Sequence, residues 1–171
     1  VEDKLNQLKA INPAWESGAY MSVADKTREL ECLTRNIYWE AASEPFEGKV
    51  AVAQVTMNRA ASSRFPSDIC AVVYQKNIVY EKVVCQFSWY CEGTHRVKKV
   101  YPPLYRESEE AAKKVLLENF RLSGLKHAMY YHADYVNPRW RGVEKTTIIG
   151  RHIFYKEKEI GYDAKTKFTT F

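Results

Sequence analysis

At 171 residues, 46% hydrophobic and 27% charged, the chain has the composition of one folded domain with a core of its own, not of a disordered tail. No apolar run approaches the roughly 18 residues that would span a bilayer. The formal net charge of +5 points to an anionic partner. Basic residues are scattered, densest at Arg96–Lys99, with no zinc-finger or RNA-binding motif, so a nucleic-acid role is not expected. The chain begins at Val1 with no visible secretory leader, and the expectation is a processed N-terminus.

Residues 1–25 are weakly patterned and read as an arm, leaving 26–171 as the domain. Leu30, Leu33, Ile37 and Ala41 fall on one helical face. Pro45 stops that helix near Ala42 to Glu44. The following stretch, VAVAQVTM, is apolar nearly all round, as a buried central helix would be. Its two amides, Gln54 and Asn58, either satisfy backbone groups in the core or orient a carboxylate in a cleft.

Ser67 or Asp68 is expected to cap a short helix containing Val72 and Val73. Residues 76–105 read as a long structured loop ending at Pro102–Pro103. Ser108 then reads as the N-cap of a helix closed by Gly124. The aromatic and β-branched segments HAMYYHADYV and TTIIGRHIFYK suggest short strands separated by NPRWRG. The expected architecture is a mostly helical α+β domain with a small antiparallel sheet late in the chain.

Cys32, Cys70, Cys85 and Cys91 show no metal-binding spacing and fit either two disulfides or buried thiols. Three pairings are possible. A Cys85–Cys91 bridge would close the short loop CQFSWYC, and Cys32–Cys70 would then tie two helices. His95, His127, His132 and His152 form no metal motif, and no metal or cofactor is predicted.

The residue that asks for chemistry is Glu40. At 100° per residue it lies about 20° from Leu33 on the helical wheel, on the rim of the apolar face. It also occupies the last turn, where the helix dipole disfavours a negative charge. Partial burial acts in the same direction, so its pKa is expected to rise from about 4.3 toward the range near 6 that suits a general acid. The bland alternative is a rim glutamate paired with Arg35, Arg59 or a lysine.

The blocks IYWEAASEPFEGKVAVAQVTMNRA, FPSDICAVVYQ, CQFSW with CEG, YYHADYVNPRW and IIGRHIFY, in that order from about Leu33 to Tyr155, resemble the SleB-type cell wall hydrolase family. That family includes spore-cortex-lytic enzymes and related bacterial and phage proteins. The resemblance implies a lysozyme-like, transglycosylase-type fold and cleavage of peptidoglycan glycan strands between N-acetylmuramic acid and N-acetylglucosamine. The family's catalytic glutamate falls on Glu40, while its following Arg–Gly is replaced by Ala42 and Ser43. By the same resemblance Glu44, Gln86, Ser88, Tyr131, His132 and His152 are candidates for the cleft.

Two-carboxylate hydrolysis needs acids about 5–5.5 or 6.5–9.5 Å apart, and Glu44, Glu92 and Asp134 are the candidates for the second. A lytic transglycosylase needs only one, and is the favoured reading. The alternatives are a two-carboxylate muramidase and an inactive wall-binding module. The expected setting is the cell wall or periplasm, or a phage lysin acting on the wall, with a monomer binding peptidoglycan and no nucleic acid.

Overall fold

The computed structural model describes residues 22–158. Most of the expected arm, residues 1–21, and the last residues, 159–171, lie outside the described part. Helix α1 spans Val23–Ala41, so its first turn precedes the boundary expected at residue 26. Ser22 caps it, its hydroxyl accepting from the Asp25 amide at 3.1 Å. Leu33, Ile37 and Ala41 are buried along one face, with Leu30 packed beside them, as their spacing predicts.

Pro45 then sits at the N-cap of α2 (Phe46–Ala60), and every residue from Gly48 to Thr56 is buried. The apolar circumference has a structural cause. Val50, Val52 and Ala53 pack into a cluster with α1, while Ala51 and Val55 face a second cluster with Leu125, Ala128 and Phe154. Asp68 caps the short α3 (Ile69–Val73), accepting from the Ala71 amide at 2.6 Å.

Two expectations need correction. Residues 76–105 are not one loop. They contain an antiparallel hairpin, β1 (Lys76–Val79) and β2 (Lys82–Cys85), followed by α4 (Ser88–Glu92) and α5 (Thr94–Val97). Nor does Ser108 cap a helix. Helix α6 runs from Pro102 to Leu116, because the prolines occupy first-turn positions where a missing N–H costs nothing. Ser108 is buried in its middle and donates to the Leu104 carbonyl at 2.9 Å. The helix ends well before Gly124, and Asn119 supplies a left-handed residue (φ 56°) in the exit.

The late strands form a three-stranded antiparallel sheet of order β3-β5-β4: β3 (Ala128–Ala133), β4 (Val143–Ile149) and β5 (His152–Glu157). Helices α1, α3 and α6 cover one side of α2, and β3 covers another. Gln54 and Asn58 satisfy backbone groups of the strand-entry loop. Gln54 pairs with Leu122, accepting from its amide at 2.8 Å, and Asn58 donates to the Leu125 and Ala128 carbonyls at 2.9 and 2.8 Å. They splice the sheet onto the helix and do not reach a cleft carboxylate.

Both disulfides form: Cys32–Cys70 ties α1 to α3, and Cys85–Cys91 ties the end of β2 to α4. Their sequence separations of 38 and 6 residues predict unequal contributions, about 4 and about 2 kcal/mol from chain entropy. Replacing Cys32 and Cys70 by alanine should therefore lower the denaturation midpoint about twice as far as replacing Cys85 and Cys91. Urea unfolding of the two double variants under non-reducing conditions measures the ranking.

Candidate active site

Glu40 stands where three elements converge. Helix α1 places it one residue from the helix end, on the rim of the core. From β3, the Tyr131 hydroxyl donates to its Oε1 at 2.6 Å. Arg59, in the last turn of α2, supplies a positive charge felt by both groups. Its guanidinium is buried, with Nε donating to the Met129 carbonyl at 2.8 Å and the rings of Phe65, Phe87 and Tyr130 within 5.1–5.8 Å. Arg59 Nη1 has no hydrogen-bond partner among the described residues.

The electrostatics follow from this placement. Burial raises the Glu40 pKa, the Tyr131 hydrogen bond and the Arg59 charge pull it back, and the Glu92 carboxylate pushes it up again. Burial wins, so the protonated acid is favoured, as the rim position predicted. Tyr131 is held as a phenol, its pKa driven well up by burial and then by Glu40.

The other expected residues divide. His152 is buried beside the site, its ring 5.1 Å from that of Tyr131, and burial lowers its pKa against the opposing charge of Glu44. Gln86 and Ser88 lie at the entry to α4, whose Trp89 is 6.4 Å from Trp39; no hydrogen bond joins either to Glu40. His132 lies on the opposite face of β3. Strand alternation turns it away from Tyr131, and its ring bonds the Ala133 carbonyl and the Tyr155 hydroxyl at 2.7 and 2.9 Å.

Glu44 bonds to the sheet. It is buried, and its Oε1 accepts from the Arg151 amide at 2.7 Å in the β4–β5 turn, with His152 Nδ1 3.8 Å away. Gly150 in that turn has φ +58° and no room for a Cβ, which would stand 2.5 Å from the Glu44 carboxylate. Asp134 is exposed, 3.7 Å from Arg151 Nε. Of the three candidate second acids, only exposed Glu92 contributes to the potential at Glu40. Sequence reasoning named Arg59 only as a possible ion-pair partner. A cation on a helix otherwise buried all round was the available signal, because such a charge must be answered by a partner.

A helical cluster, a small antiparallel sheet and one raised-pKa acid at their junction define a lysozyme-like α+β domain. The chain belongs to the cell wall hydrolase family, whose model matches residues 43–155. That match begins three residues after Glu40. The chain is 25% identical over 147 residues to the spore cortex-lytic enzyme of Bacillus cereus, covering 84% of this chain and 50% of the relative. It is 27% identical over 129 residues to that of Bacillus subtilis, covering 74% and 37%. The chain thus spans about half or less of the length of these curated relatives. Among solved structures, the catalytic domain of the germination-specific lytic transglycosylase SleB from Bacillus anthracis superposes with a TM-score of 0.60 at 23% identity, covering 81% of this chain and 98% of that one. The catalytic domain of Bacillus cereus SleB gives 0.55 at 23% identity, covering 76% and 91%.

Two measurements follow from the geometry. Folding raises the Glu40 pKa, so between its unfolded and folded values the native state holds the extra proton. Stability is therefore lost as pH rises through that window, and the penalty is complete above the folded pKa. Glu40→Gln, which mimics the protonated acid, should melt higher than the parent at neutral pH and level with it below about pH 4. Glu44→Ala should do the opposite at neutral pH, costing about 2 kcal/mol by removing the carboxylate that accepts from the β4–β5 turn. Thermal melts across pH read both.

Proposed function

We propose that this domain cleaves peptidoglycan glycan strands as a lytic transglycosylase, with Glu40 acting first as acid and then as base. The observation that carries the reading is one carboxyl at the helix–sheet junction, bonded by the Tyr131 hydroxyl and with its pKa raised by burial. Glu44 accepts from the Arg151 amide, Asp134 lies 3.7 Å from the Arg151 side chain, and the side chain bonded to Glu40 is Tyr131, not a second carboxyl.

In the first half of the reaction Glu40 donates its proton to the glycosidic oxygen, and the bond from that oxygen to C1 of N-acetylmuramic acid breaks. The departing N-acetylglucosamine keeps the proton as a hydroxyl hydrogen. The Tyr131 hydroxyl and the Arg59 charge stabilise the carboxylate that Glu40 becomes. That carboxylate then removes the proton from the C6 hydroxyl of the same muramic residue while O6 bonds to C1. The ring closes as a 1,6-anhydro product and Glu40 is protonated again. Tethered attack of this kind reaches effective molarities of about 10⁵–10⁸ M, which lets O6 outcompete water without a second base.

The Glu92 charge favours the protonated starting state, and it also makes Glu92 the place to look for a base if water attacks instead. Both disulfides, and the wall as substrate, put the site of action outside the cytoplasm.

Digestion of purified peptidoglycan followed by mass spectrometry tests the reading. Anhydro-muropeptides, lighter by one water and resistant to borohydride, are expected, and reducible muropeptides in their place would mean hydrolysis. Glu40→Gln should lower the rate by about 10²–10⁴ in a protein that still folds.

A further inference from the structure

At the C-terminal half of α1, and not used in the mechanism above, lies a hollow of about 340 Å³ lined by Arg35, Trp39, His95, Val100 and Tyr105. Arg35 and Trp39 are one turn apart on α1, and Trp39 immediately precedes Glu40 in the chain. Its floor is aromatic: Trp39 packs near Trp89, and the His95 ring stands edge-on to Trp89 at 5.2 Å. Its polar groups include one cationic donor, Arg35, and one ring nitrogen, on His95. Arg35 is held by the Glu31 carboxylate at 3.0 Å and the Tyr74 hydroxyl at 3.3 Å, which fix a guanidinium that is still half exposed. His95 Nδ1 is buried and has no hydrogen-bond partner among the described residues. The exposed segment from Arg96 to Val100 adds Lys98 and Lys99 beside it, the densest basic run in the chain.

A neutral N-acetyl sugar gives no reason for that charge. The carboxylates on a muramic acid's peptide stem do. Resting on the glycan-cleaving function proposed above, we infer that this hollow binds the carboxylate-bearing peptide stem of the substrate, with Arg35 on the carboxylate and Trp39 against the stem's apolar atoms. A guanidinium–carboxylate pair is directional and charge-assisted, so it would position the muramic residue relative to Glu40 as well as adding affinity.

The test compares two substrates made from the same walls after removal of phosphate-bearing polymers: strands that keep their stems, and strands stripped of them by an amidase. The parent protein should cleave stem-bearing strands with the higher kcat/KM. Arg35→Gln should reduce that preference about tenfold, through KM more than kcat, and Lys98→Gln with Lys99→Gln should reduce it less. Arg35→Lys, which keeps the charge, should recover part of it. Equal kcat/KM of the parent on both substrates, or an Arg35→Gln loss of the same size on each, overturns the stem site while leaving glycan cleavage standing. Cleavage of neither substrate by the parent overturns the functional reading and the stem site with it.

Discussion

Helix α2 has no solvent face between Gly48 and Thr56, so other elements must cover it from every side. That constraint organises the domain. One set of its side chains recruits α1, α3 and α6, and another, Ala51 and Val55, recruits Leu125, Ala128 and Phe154 from the sheet and its entry loop. Burying a helix this completely also requires its polar members to find partners. Lys49 reaches the Glu44 carbonyl and the Glu107 carboxylate, and Gln54 and Asn58 take the loop backbone. The same residues that complete the core thus fix where β3 lies relative to α1.

The reactive geometry is a by-product of that docking. Tyr131 and Glu40 are 91 positions apart in the chain, and their 2.6 Å contact exists only because β3 and α1 both pack on α2. Arg59 comes from α2 itself, at the seam. Enclosing it among Phe65, Phe87 and Tyr130 withdraws water from the guanidinium, at a cost that its single backbone bond and the ring faces only partly offset. The residual field acts on Glu40, where it favours the carboxylate against the effect of burial. A fully solvated arginine would be screened and contribute far less.

Local chemistry was legible in the sequence where it was periodic or punctuated. The buried face of α1, the stop at Pro45, the Asp68 cap and the all-round burial of α2 follow from spacing and from a few special residues. The rim position of Glu40 did too, because a helical wheel requires only one element. What could not be read is which side chains meet across elements. His132 and Tyr131 are adjacent in sequence, yet strand alternation sends one to Tyr155 and the other to Glu40. Glu44 looked like a second acid because it is four residues from the first. Its real partner, the Arg151 amide, is 107 residues away. Ser108 misled for a local reason: a good capping residue is also tolerated inside a helix when its hydroxyl bonds back to the preceding turn.

The turn after Glu40 explains why the domain tolerates Ala42 and Ser43 where the resembling family carries Arg–Gly. A glycine is required only where φ is positive or where another group approaches too closely for a Cβ. Ala42 is right-handed helical (φ −55°), and Ser43 is not among the described residues with positive φ. The Glu44 amide still closes the turn onto the Ala41 carbonyl at 3.0 Å. The steric demand falls across the gap instead, at Gly150, where the Glu44 carboxylate leaves no space for a side chain. Glu44 therefore ties the residues just after α1 to the β4–β5 turn, and β5 pairs with β3, which carries Tyr131. The second glutamate of the block thus keeps its bond to the sheet with Ala42 and Ser43 between it and Glu40.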